Sequence, residues 1–258
     1  MNHFKLHYTA ASSQGSRKSN QDNLCVSDHI PFIDPDAFFS AAGTLDTQSL
    51  RIFCVCDGIG GERMGDVTAL MTLEAVSQAA GADETADKPL TEVVLEAAEA
   101  AQQSVTTFLS GIGIMGGCTL TMLAVRENSY ALLNIGDSPA FLLRKEDEAL
   151  IELSSRHNLF WHKRRAGMEP GPADASYLLS YIGKQNIPAQ ALAYITEGTL
   201  SPGDCILLCS DGITNAMDDN SLRAAMADGT DAARLAEQAA AVPHSDNSTV
   251  ICLTVCEE

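Results

Sequence analysis

The sequence predicts a single α+β domain in which antiparallel β-strands pack against helices, and three observations support this prediction. Short apolar runs typical of strands alternate in blocks with long amphipathic segments. Three of these runs follow one another with connections too short for a helical crossover, which favours antiparallel pairing. The chain has 258 residues, of which 45% are hydrophobic, and shows no compositional break. We therefore expect residues 1–258 to form one domain around a substantial core.

The predicted strands are runs of apolar and β-branched residues that end at turn residues. They cover residues 51–56, 119–125, 130–135, 140–143, 205–210 and 249–255. The second, third and fourth runs are close enough in sequence to form an antiparallel meander.

Two amphipathic helices are predicted from apolar residues that recur near helical spacing. The recurring residues are Val67, Leu70, Leu73, Val76 and Ala80 in residues 66–80, and Val94, Ala98, Ala101, Val105 and Leu109 in residues 89–109. A third helical region, residues 218–242, precedes the final predicted strand.

Residues 154–195 fit neither pattern. This stretch concentrates positive charge, with His162, Lys163, Arg164 and Arg165 in a row, and it contains several glycines and prolines. We expect a mobile excursion from the core. Two interpretations remain open, a solvated loop and a flap that faces the substrate.

The balance of charge limits the partners of this protein. It has 16 Lys and Arg residues against 34 Asp and Glu residues, which gives a formal net charge of −18. Such a charge repels nucleic acid and anionic membranes, so we expect it to bind neither. A site that handles phosphate then needs local positive charge from arginine or metal ions.

Cysteine spacing and hydropathy bear on the location of the protein. The eight cysteines show no CxxC pair or metal-finger spacing, and most lie in apolar runs, where a reduced cysteine behaves as a small hydrophobe. The first ten residues are too polar for a signal peptide. Residues 100–125 are uncharged, but polar residues and glycines interrupt them, so no membrane insertion is expected. These observations predict a protein of the reducing cytoplasm.

Aspartates at the ends of predicted strands are the candidate chemical groups. Asp57 and Asp211 each follow an apolar run and precede a glycine, while Asp137 and Asp246 lie at two further strand boundaries. A single Asp-Gly pair is typical of a turn, whereas four such acids together indicate a site. Their hard oxygen ligands favour Mg²⁺, Mn²⁺ or Ca²⁺ over Zn²⁺.

Six ordered motifs resemble those of a known family. They are RKSNQD at residues 17–22, DGIGG at 57–61, MGGCTL at 115–120, GDS at 136–138, CSDGIT at 209–214 and DNSTV at 246–250. Their order and spacing are similar to those of the metal-dependent protein phosphatases of the 2C type, particularly the bacterial members, from near residue 9 to near residue 255. The resemblance implies two central antiparallel β-sheets flanked by helices, an αββα sandwich, with residues 154–195 as a flap.

The resemblance also implies roles for individual residues as metal ligands. Asp57 would bridge two metal ions. Asp211 and Asp246 would complete the ligands of the first metal ion, and the carbonyl of Gly58 would contact the second ion. Asp137 together with Asp211 would hold a third, weaker ion.

Two further residues complete the implied active site. Asp22 would act through water bound to the metal, and Arg17 would bind the substrate phosphate, since a guanidinium can pair with two phosphate oxygens at once. The implied cofactors are two or three Mn²⁺ or Mg²⁺ ions, which lower the pKa of a water molecule so that it attacks phosphorus. The predicted function is hydrolysis of phosphoserine and phosphothreonine in proteins, in a pathway with a serine/threonine kinase.

Two alternatives belong to other functional classes. Residues 111–116 formally match the GxGxxG pattern of nucleotide-binding enzymes, but a helix precedes them and a strand follows, the reverse of the order that such a site requires. The second alternative is a catalytically silent phosphatase fold that binds phosphoproteins or serves as a scaffold. The presence of all four candidate metal aspartates and Arg17 argues against it.

Three positions depart from the family pattern. Gln21 replaces a frequent glutamate that supports the second metal ion. Ile59 occupies the position where some relatives carry a histidine proposed as general acid, so the donor of a proton to the leaving oxygen is unassigned. Pro139 stands where arginine is common, which indicates a local change of structure.

Overall fold

The computed structural model describes residues 4–27, 29–31, 33–34, 36–59, 64–82 and 85–257. The strands in this part of the chain are Phe4–Ser13 (β1), Asn23–Val26 (β2), Phe39–Asp46 (β3), Arg51–Cys56 (β4), Gly58–Ile59 (β5), Gly117–Cys118 (β6), Leu120–Arg126 (β7), Ser129–Ile135 (β8), Ala140–Leu143 (β9), Leu150–Glu152 (β10), Tyr194–Thr199 (β11), Cys205–Cys209 (β12) and Ser248–Glu257 (β13). The α-helices are Gly65–Ala80 (α1), Leu90–Ile112 (α2), Leu159–Arg165 (α3), Ala189–Leu192 (α4), Asp211–Ala216 (α5), Asp219–Ala227 (α6) and Ala232–Ala240 (α7).

Two antiparallel sheets form the centre of the fold. The first sheet has the strand order β10-β9-β12-β13-β1-β3, and the second has the order β11-β8-β7-β4-β2. Strands β5 and β6 form a separate two-stranded ribbon. Apolar side chains from both sheets, including Leu6, Phe53, Leu132 and Ile251, form one shared core. The two sheets therefore stack face to face.

Helices cover the outer faces of both sheets. Leu73 of α1 and Val94 of α2 pack with residues of the second sheet. Ile213 of α5, Leu222 of α6 and Leu235 of α7 pack with residues of the first sheet. The predicted α+β class and the αββα sandwich are confirmed. No helix in the described residues is long and apolar enough to cross a bilayer.

Strand β4 shows why a predicted strand is apolar throughout. Cys54 and Cys56 belong to the core beneath α1 and α2, whereas Phe53 and Val55 belong to the core between the sheets. A strand in a middle layer is buried on both faces, so its sequence is a continuous apolar run rather than an alternating one. The structure confirms this strand with the predicted bounds.

The predicted meander is correct for two strands and wrong for the third. Strands β7 and β8 pair as an antiparallel hairpin, but β9 pairs with β12 and β10 in the other sheet. The chain leaves the second sheet at Gly136, whose φ of +113° lies in the region that favours glycine. A Cβ atom at Gly136 would lie 2.6 Å from the side chain of Thr119. Residues 136–139 therefore cross from the second sheet to the first. The meander was predicted because a connection of this length also suits a turn within one sheet.

The helix predictions for residues 66–80 and 89–109 are confirmed by α1 and α2. The third predicted region, residues 218–242, is two helices rather than one. Asp218 begins α6 and Asp231 begins α7, and each carboxylate accepts a hydrogen bond from a backbone N–H of the first turn. Helix α5 and seven strands (β1, β2, β3, β5, β6, β10 and β11) were not predicted.

Residues 154–195 contain more regular structure than predicted. They include α3, a 3₁₀ helix at Pro172–Ser176, α4 and the start of β11. Backbone hydrogen bonds of 3.1 and 2.9 Å join Ile182 to Cys118 of β6. The buried Gln102 of α2 accepts from the Gly183 N–H and donates to two carbonyl groups that follow it. The flap segment, residues 154–195, is therefore attached to the core beside the β5–β6 ribbon.

Candidate active site

The ends of several strands meet at one edge of the sandwich. Ser13 at the end of β1 pairs with Ser248 at the start of β13, and Cys209 at the end of β12 pairs with Val250. In the second sheet, the last residue of β4 pairs with the first residue of β2. Residues one or two positions from these strand ends, and from the end of β8 in the second sheet, are thereby gathered at the same edge. They include all five predicted aspartates, Asp22, Asp57, Asp137, Asp211 and Asp246, which we call the acidic cluster.

Asp57 is held through its backbone. Its N–H donates to Thr119 Oγ1 at 2.9 Å, and its carbonyl accepts from the Thr119 N–H at 2.8 Å. The Thr119 hydroxyl also bonds to Ser138 Oγ at 2.7 Å, which joins the Asp57 turn to the turn that carries Asp137. Three backbone and hydroxyl contacts thus fix Asp57, which follows β4, relative to Asp137, which follows β8 on the other side of β7.

Asp22 is buried and only partly satisfied. Its Oδ2 accepts a hydrogen bond of 2.7 Å from Ser210 Oγ, whereas its Oδ1 is buried and has no hydrogen-bond partner. Burial raises the pKa of this carboxyl group to about 7, despite the hydrogen bond from Ser210. A buried oxygen without a partner is costly, so Asp22 is suited to a cation or an ordered water.

Burial and the charges of neighbouring aspartates raise the pKa values of Asp22, Asp57 and Asp211. Burial, followed by the charges of Asp137 and Asp246, raises the pKa of Asp211 to about 7. Burial raises the pKa of Asp57 well above its usual range, and the charges of the other four aspartates raise it further. The electrostatic potential at this edge is therefore strongly negative, which favours a bound cation.

The carboxyl groups do not form a closed set of metal ligands in this arrangement. Within the described residues, no group of three or more His, Cys, Asp or Glu side chains is placed so that it could hold a metal ion directly. In this arrangement Arg17 Nη2 donates to Asp246 Oδ2 at 2.5 Å. The ligand roles assigned to the individual aspartates and to the Gly58 carbonyl remain predictions.

Arg17 lies at the entrance of the site. Its side chain is 59% exposed, and its hydrogen bond to Asp246, together with the charges of the cluster, raises the pKa of its guanidinium. A cleft of about 420 Å³ is lined by Arg17, Gln21, Asp57 and Asp246, among others. The predicted phosphate-binding arginine thus shares one cleft with Asp57 and Asp246 of the acidic cluster.

Asn247 was not assigned a role from the sequence, although it lies in one of the six motifs. Its amide donates to the carbonyls of Gln14 and Ser19 at 2.8 and 3.0 Å, and its Oδ1 accepts from the Gln21 N–H at 2.9 Å. These three hydrogen bonds fix the loop that carries Arg17. An asparagine that is buried beside a predicted metal ligand typically holds the surrounding loop in place. The motif was therefore the signal in the sequence that could have identified Asn247.

Two departures from the family pattern lie close together. A Cβ atom on Gly65, the first residue of α1, would lie 3.0 Å from the Gln21 side chain and 3.0 Å from the carbonyl carbon of Gly58, so both residues lie beside the start of this helix. A Cβ atom on Gly58 would lie 2.5 Å from the carbonyl carbon of Gly65, so only glycine fits there. Ile59 follows in β5 and pairs with Gly117. Gly58, whose carbonyl is the predicted ligand of the second metal ion, therefore lies beside the first residue of α1.

Asp137 is held by the flap segment. Its Oδ2 accepts a hydrogen bond of 2.9 Å from the Asn158 side-chain amide. Burial raises the pKa of Asp137, and this hydrogen bond opposes the rise. Asn158 was not identified from the sequence, because an asparagine 21 residues away carries no local signal of such a contact.

A family model described as Protein phosphatase 2C matches residues 35–245. The chain belongs to this family. The match includes Asp57, Asp137 and Asp211, while Arg17 and Asp246 lie outside it. The predicted family and enzyme class, a serine/threonine protein phosphatase, are confirmed, and the catalytically silent alternative gains no support.

Individual 2C-type relatives agree with this membership. The serine/threonine phosphatase stp of Listeria welshimeri is 32% identical over 183 residues, which are 66% of this chain and 68% of that protein. Protein phosphatase PhpP of Streptococcus pneumoniae is 29% identical over 79% of this chain and 85% of its own length. A crystal structure of the PstP catalytic domain in complex with two manganese ions superposes with a TM-score of 0.75, at 24% identity, over 98% of this chain and 100% of that one.

Proposed function

We propose that this protein hydrolyses phosphoserine and phosphothreonine in other proteins, with two or three Mn²⁺ or Mg²⁺ ions bound at the acidic cluster. The observation that carries the proposal is the gathering of buried, mutually repelling carboxyl groups beside an exposed arginine. The names of the Listeria and Streptococcus relatives and the two manganese ions of PstP support it.

The residues present fit hard divalent cations. The acidic cluster offers only carboxylate oxygens, which Mg²⁺ and Mn²⁺ prefer to nitrogen or sulfur ligands. The unpartnered Oδ1 of Asp22 is a further oxygen available to a cation or to the water around it. Asp57 would bridge two ions, with Asp211 and Asp246 on the first and the Gly58 carbonyl on the second. Asp137 and Asp211 would hold the third.

The protein's own groups then orient the phosphoryl group and the attacking water. When bound, the ions would lower the pKa of water and neutralise charge on the phosphoryl group. Arg17 binds phosphate oxygens with the N–H groups of its exposed fork, and Asp22 holds water from the buried side. Attack in line with the serine or threonine oxygen breaks the bond from phosphorus to that oxygen, which takes up a proton. Ile59 cannot supply this proton.

The flap segment would meet the protein part of the substrate. Its helix α3 carries Arg164 and Arg165 at exposed positions on a protein whose net charge is −18. We infer that acidic residues of the phosphoprotein contact this helix. Buried thiols such as Cys54 and Cys56 lie in the core, which supports our proposal of a reducing cytoplasmic location, where the enzyme would oppose a serine/threonine kinase.

The test is hydrolysis of a phosphothreonine peptide by the purified protein with excess chelator, and then with added Mn²⁺ or Mg²⁺. Activity should be absent in chelator and return with either ion. The test includes the variant Asp57→Asn, which removes one carboxylate of the acidic cluster. Its matched control is Asp228→Asn, which changes an exposed acid at the end of α6 and should behave as wild type. Full turnover in chelator would reject the role of metal ions.

A second result would favour the scaffold alternative. If the protein binds a phosphopeptide tightly but hydrolyses none in the presence of Mn²⁺, the fold serves recognition rather than catalysis.

A further inference from the structure

Two buried hydroxyl groups lie between the sheets, next to the acidic cluster. Ser12 of β1 and Thr249 of β13 pair directly across neighbouring strands, and their side-chain oxygens are 2.7 Å apart. Ala10, two residues before Ser12, belongs to the core between the sheets, and side chains two residues apart in a strand share a face. Ile251, two residues after Thr249, belongs to the same core. This core therefore changes from apolar to polar where it approaches the site.

The hydrogen bonds of this polar part run in one direction. The amide nitrogen of Asn20 donates to Ser12 Oγ at 2.7 Å, since Asn20 Oδ1 already accepts from the Asp22 N–H at 3.2 Å. In the described part of the chain, the hydrogen of the Ser12 hydroxyl then has one acceptor, Thr249 Oγ1. The Thr249 hydroxyl in turn donates to the carboxyl group of Asp22. We call Asn20, Ser12 and Thr249 the donor series, which ends on Asp22.

A further hydroxyl reaches Asp22 from the neighbouring strand. Ser210, which follows β12, donates to Asp22 Oδ2 at 2.7 Å and accepts from the Thr249 N–H at 2.9 Å. The Ser210 N–H also donates to the Thr249 carbonyl at 2.9 Å, so the two residues are fixed relative to each other. All of these side chains are buried. They hold the carboxyl group from the side of the core and leave its Oδ1 without a partner.

Uncharged donors suit this position. Hydroxyl and amide groups in a core are costly unless each finds a partner, and each member of the donor series has one. Hydrogen bonds in a series polarise one another, and a bond donated to a carboxylate is stronger than one between neutral groups. The donor series therefore restricts the orientation of the Asp22 carboxyl group. It brings no positive charge that would compete with a cation.

We propose that Ser12 and Thr249 are positioning residues for Asp22, which fix its carboxylate so that Oδ1 stays available to water bound to a divalent cation. The proposal rests on the proposed function, because it takes Asp22 as an acceptor for such a water. Side chains that orient a group at a metal site in this way typically change metal affinity by about 10-fold to 100-fold when they are replaced.

The experiment measures binding of Mn²⁺ alone to metal-free protein, from the electron paramagnetic resonance signal of free Mn²⁺. Thr249→Val keeps the shape of the side chain but removes the hydroxyl that donates to Asp22. It should need about 10-fold more Mn²⁺ for half-saturation. Thr249→Ser keeps the hydroxyl and should bind Mn²⁺ as wild type does. Ser12→Ala should cause a smaller loss, because the Thr249 hydroxyl still donates to Asp22.

Thr47→Val is the matched control at the opposite end of the first sheet. The buried Thr47 hydroxyl donates to the carbonyl of Phe4, the first residue of β1, at 3.1 Å, whereas Ser12 lies near the last residue of that strand. The same substitution there should lower the urea midpoint of unfolding and leave Mn²⁺ binding unchanged. The comparison separates loss of a buried hydroxyl in general from loss of the one that donates to Asp22.

A double variant tests the direction of the donor series. Ser12→Ala should add nothing to Thr249→Val, because Ser12 reaches Asp22 only through Thr249. Losses of Mn²⁺ affinity that add in full would overturn the proposal, and so would wild-type affinity of Thr249→Val. If Thr249→Val does not fold, Ser12→Ala is compared with Ser12→Thr, which restores the hydroxyl, and equal affinities of these two variants would overturn it. A wild-type protein that binds no Mn²⁺ would instead reject the proposed function itself.

Discussion

The acidic cluster and the flap segment lie side by side, but the molecule holds them in different ways. Asp57 is fixed by two backbone hydrogen bonds to Thr119, and Asp22 is buried against Ser210. Helix α3 of the flap segment buries none of its own residues completely and is attached by a few polar contacts. The strand ends thus supply a rigid arrangement for chemistry, while the segment that we propose meets a large substrate has few apolar contacts to keep it in one place.

The largest expected effect comes from the rigid region. Asp57→Asn should lower kcat by at least about 100-fold, since a preorganised charge at the reacting centre contributes several kcal/mol to transition-state stability. Asp211→Asn and Asp246→Asn should resemble it, while Arg17→Ala should mainly raise KM. Steady-state kinetics on a phosphothreonine peptide at saturating Mn²⁺ would measure this. Near-normal turnover of Asp57→Asn would show that the acidic cluster is not the catalytic centre.

The acidic cluster should also destabilise the metal-free protein as pH rises. The pKa of Asp22 is about 7 in the folded protein against an ordinary value of 3.8, so the folded state binds more protons between these values. Stability from this group is therefore lost as pH rises from about 4 to about 7. Asp22→Asn has no such proton to lose. In chelator it should be more stable than wild type at pH 8, by on the order of a few kcal/mol, and similar near pH 4.

Urea unfolding of both proteins at pH 4, 6 and 8 would test this difference. A gap between the two curves that does not change with pH would mean that the Asp22 carboxyl group does not titrate in this range. Replacement of chelator by Mn²⁺ should remove the advantage of the variant, because a cation stabilises the ionised carboxylates of wild type.

The flap segment should affect large substrates only. The double variant Arg164→Gln with Arg165→Gln should raise KM several-fold for an acidic phosphopeptide and leave hydrolysis of a small aryl phosphate unchanged. Lys163→Gln is the matched control, because Lys163 already pairs with Asp174 at 2.7 Å and serves the structure of the segment. Added salt should reduce the difference between the double variant and wild type. Equal losses on both substrates would place the effect in the acidic cluster instead.

The smallest predicted effect concerns Gln21, at the boundary between the two regions. Gln21→Glu adds a negative charge near the predicted second ion, which is worth on the order of 1 kcal/mol through an intervening water. Half-maximal activity should therefore occur at several-fold lower Mn²⁺, with little change in kcat. Since the Gln21 side chain lies beside the first residue of α1, the carboxylate would also interact favourably with the helix N-terminus, by about 0.3 to 1 kcal/mol.

Unfolding in chelator separates the two contributions of this substitution. A gain in stability without any shift of the Mn²⁺ titration would show that the added carboxylate acts on the N-terminus of α1 alone. A shift toward higher Mn²⁺ would instead make Gln21 a hydrogen-bonding partner that a carboxylate cannot replace.

Elements with a local signal could be predicted from the order of the residues. Strand β4 was predicted from a continuous apolar run, which reflects its burial on both faces, and helix α1 was predicted from the helical spacing of its apolar residues. Asp57 and Asp211 were recognisable because each ends an apolar run before a glycine. The ordered motifs were sufficient to predict the family. Such features depend on a few neighbouring residues, so they can be recognised in the sequence without knowledge of the fold.

Contacts between residues far apart in the chain could be recognised from the folded structure alone. It placed β9 in the first sheet and paired β1 with β13 at the other end of the chain. It also brought Asn158 to Asp137 and left Asp22 Oδ1 without a partner. Each of these depends on strand register and on where the chain crosses between sheets, and a register is chosen by the packing of whole faces rather than by any short stretch of sequence.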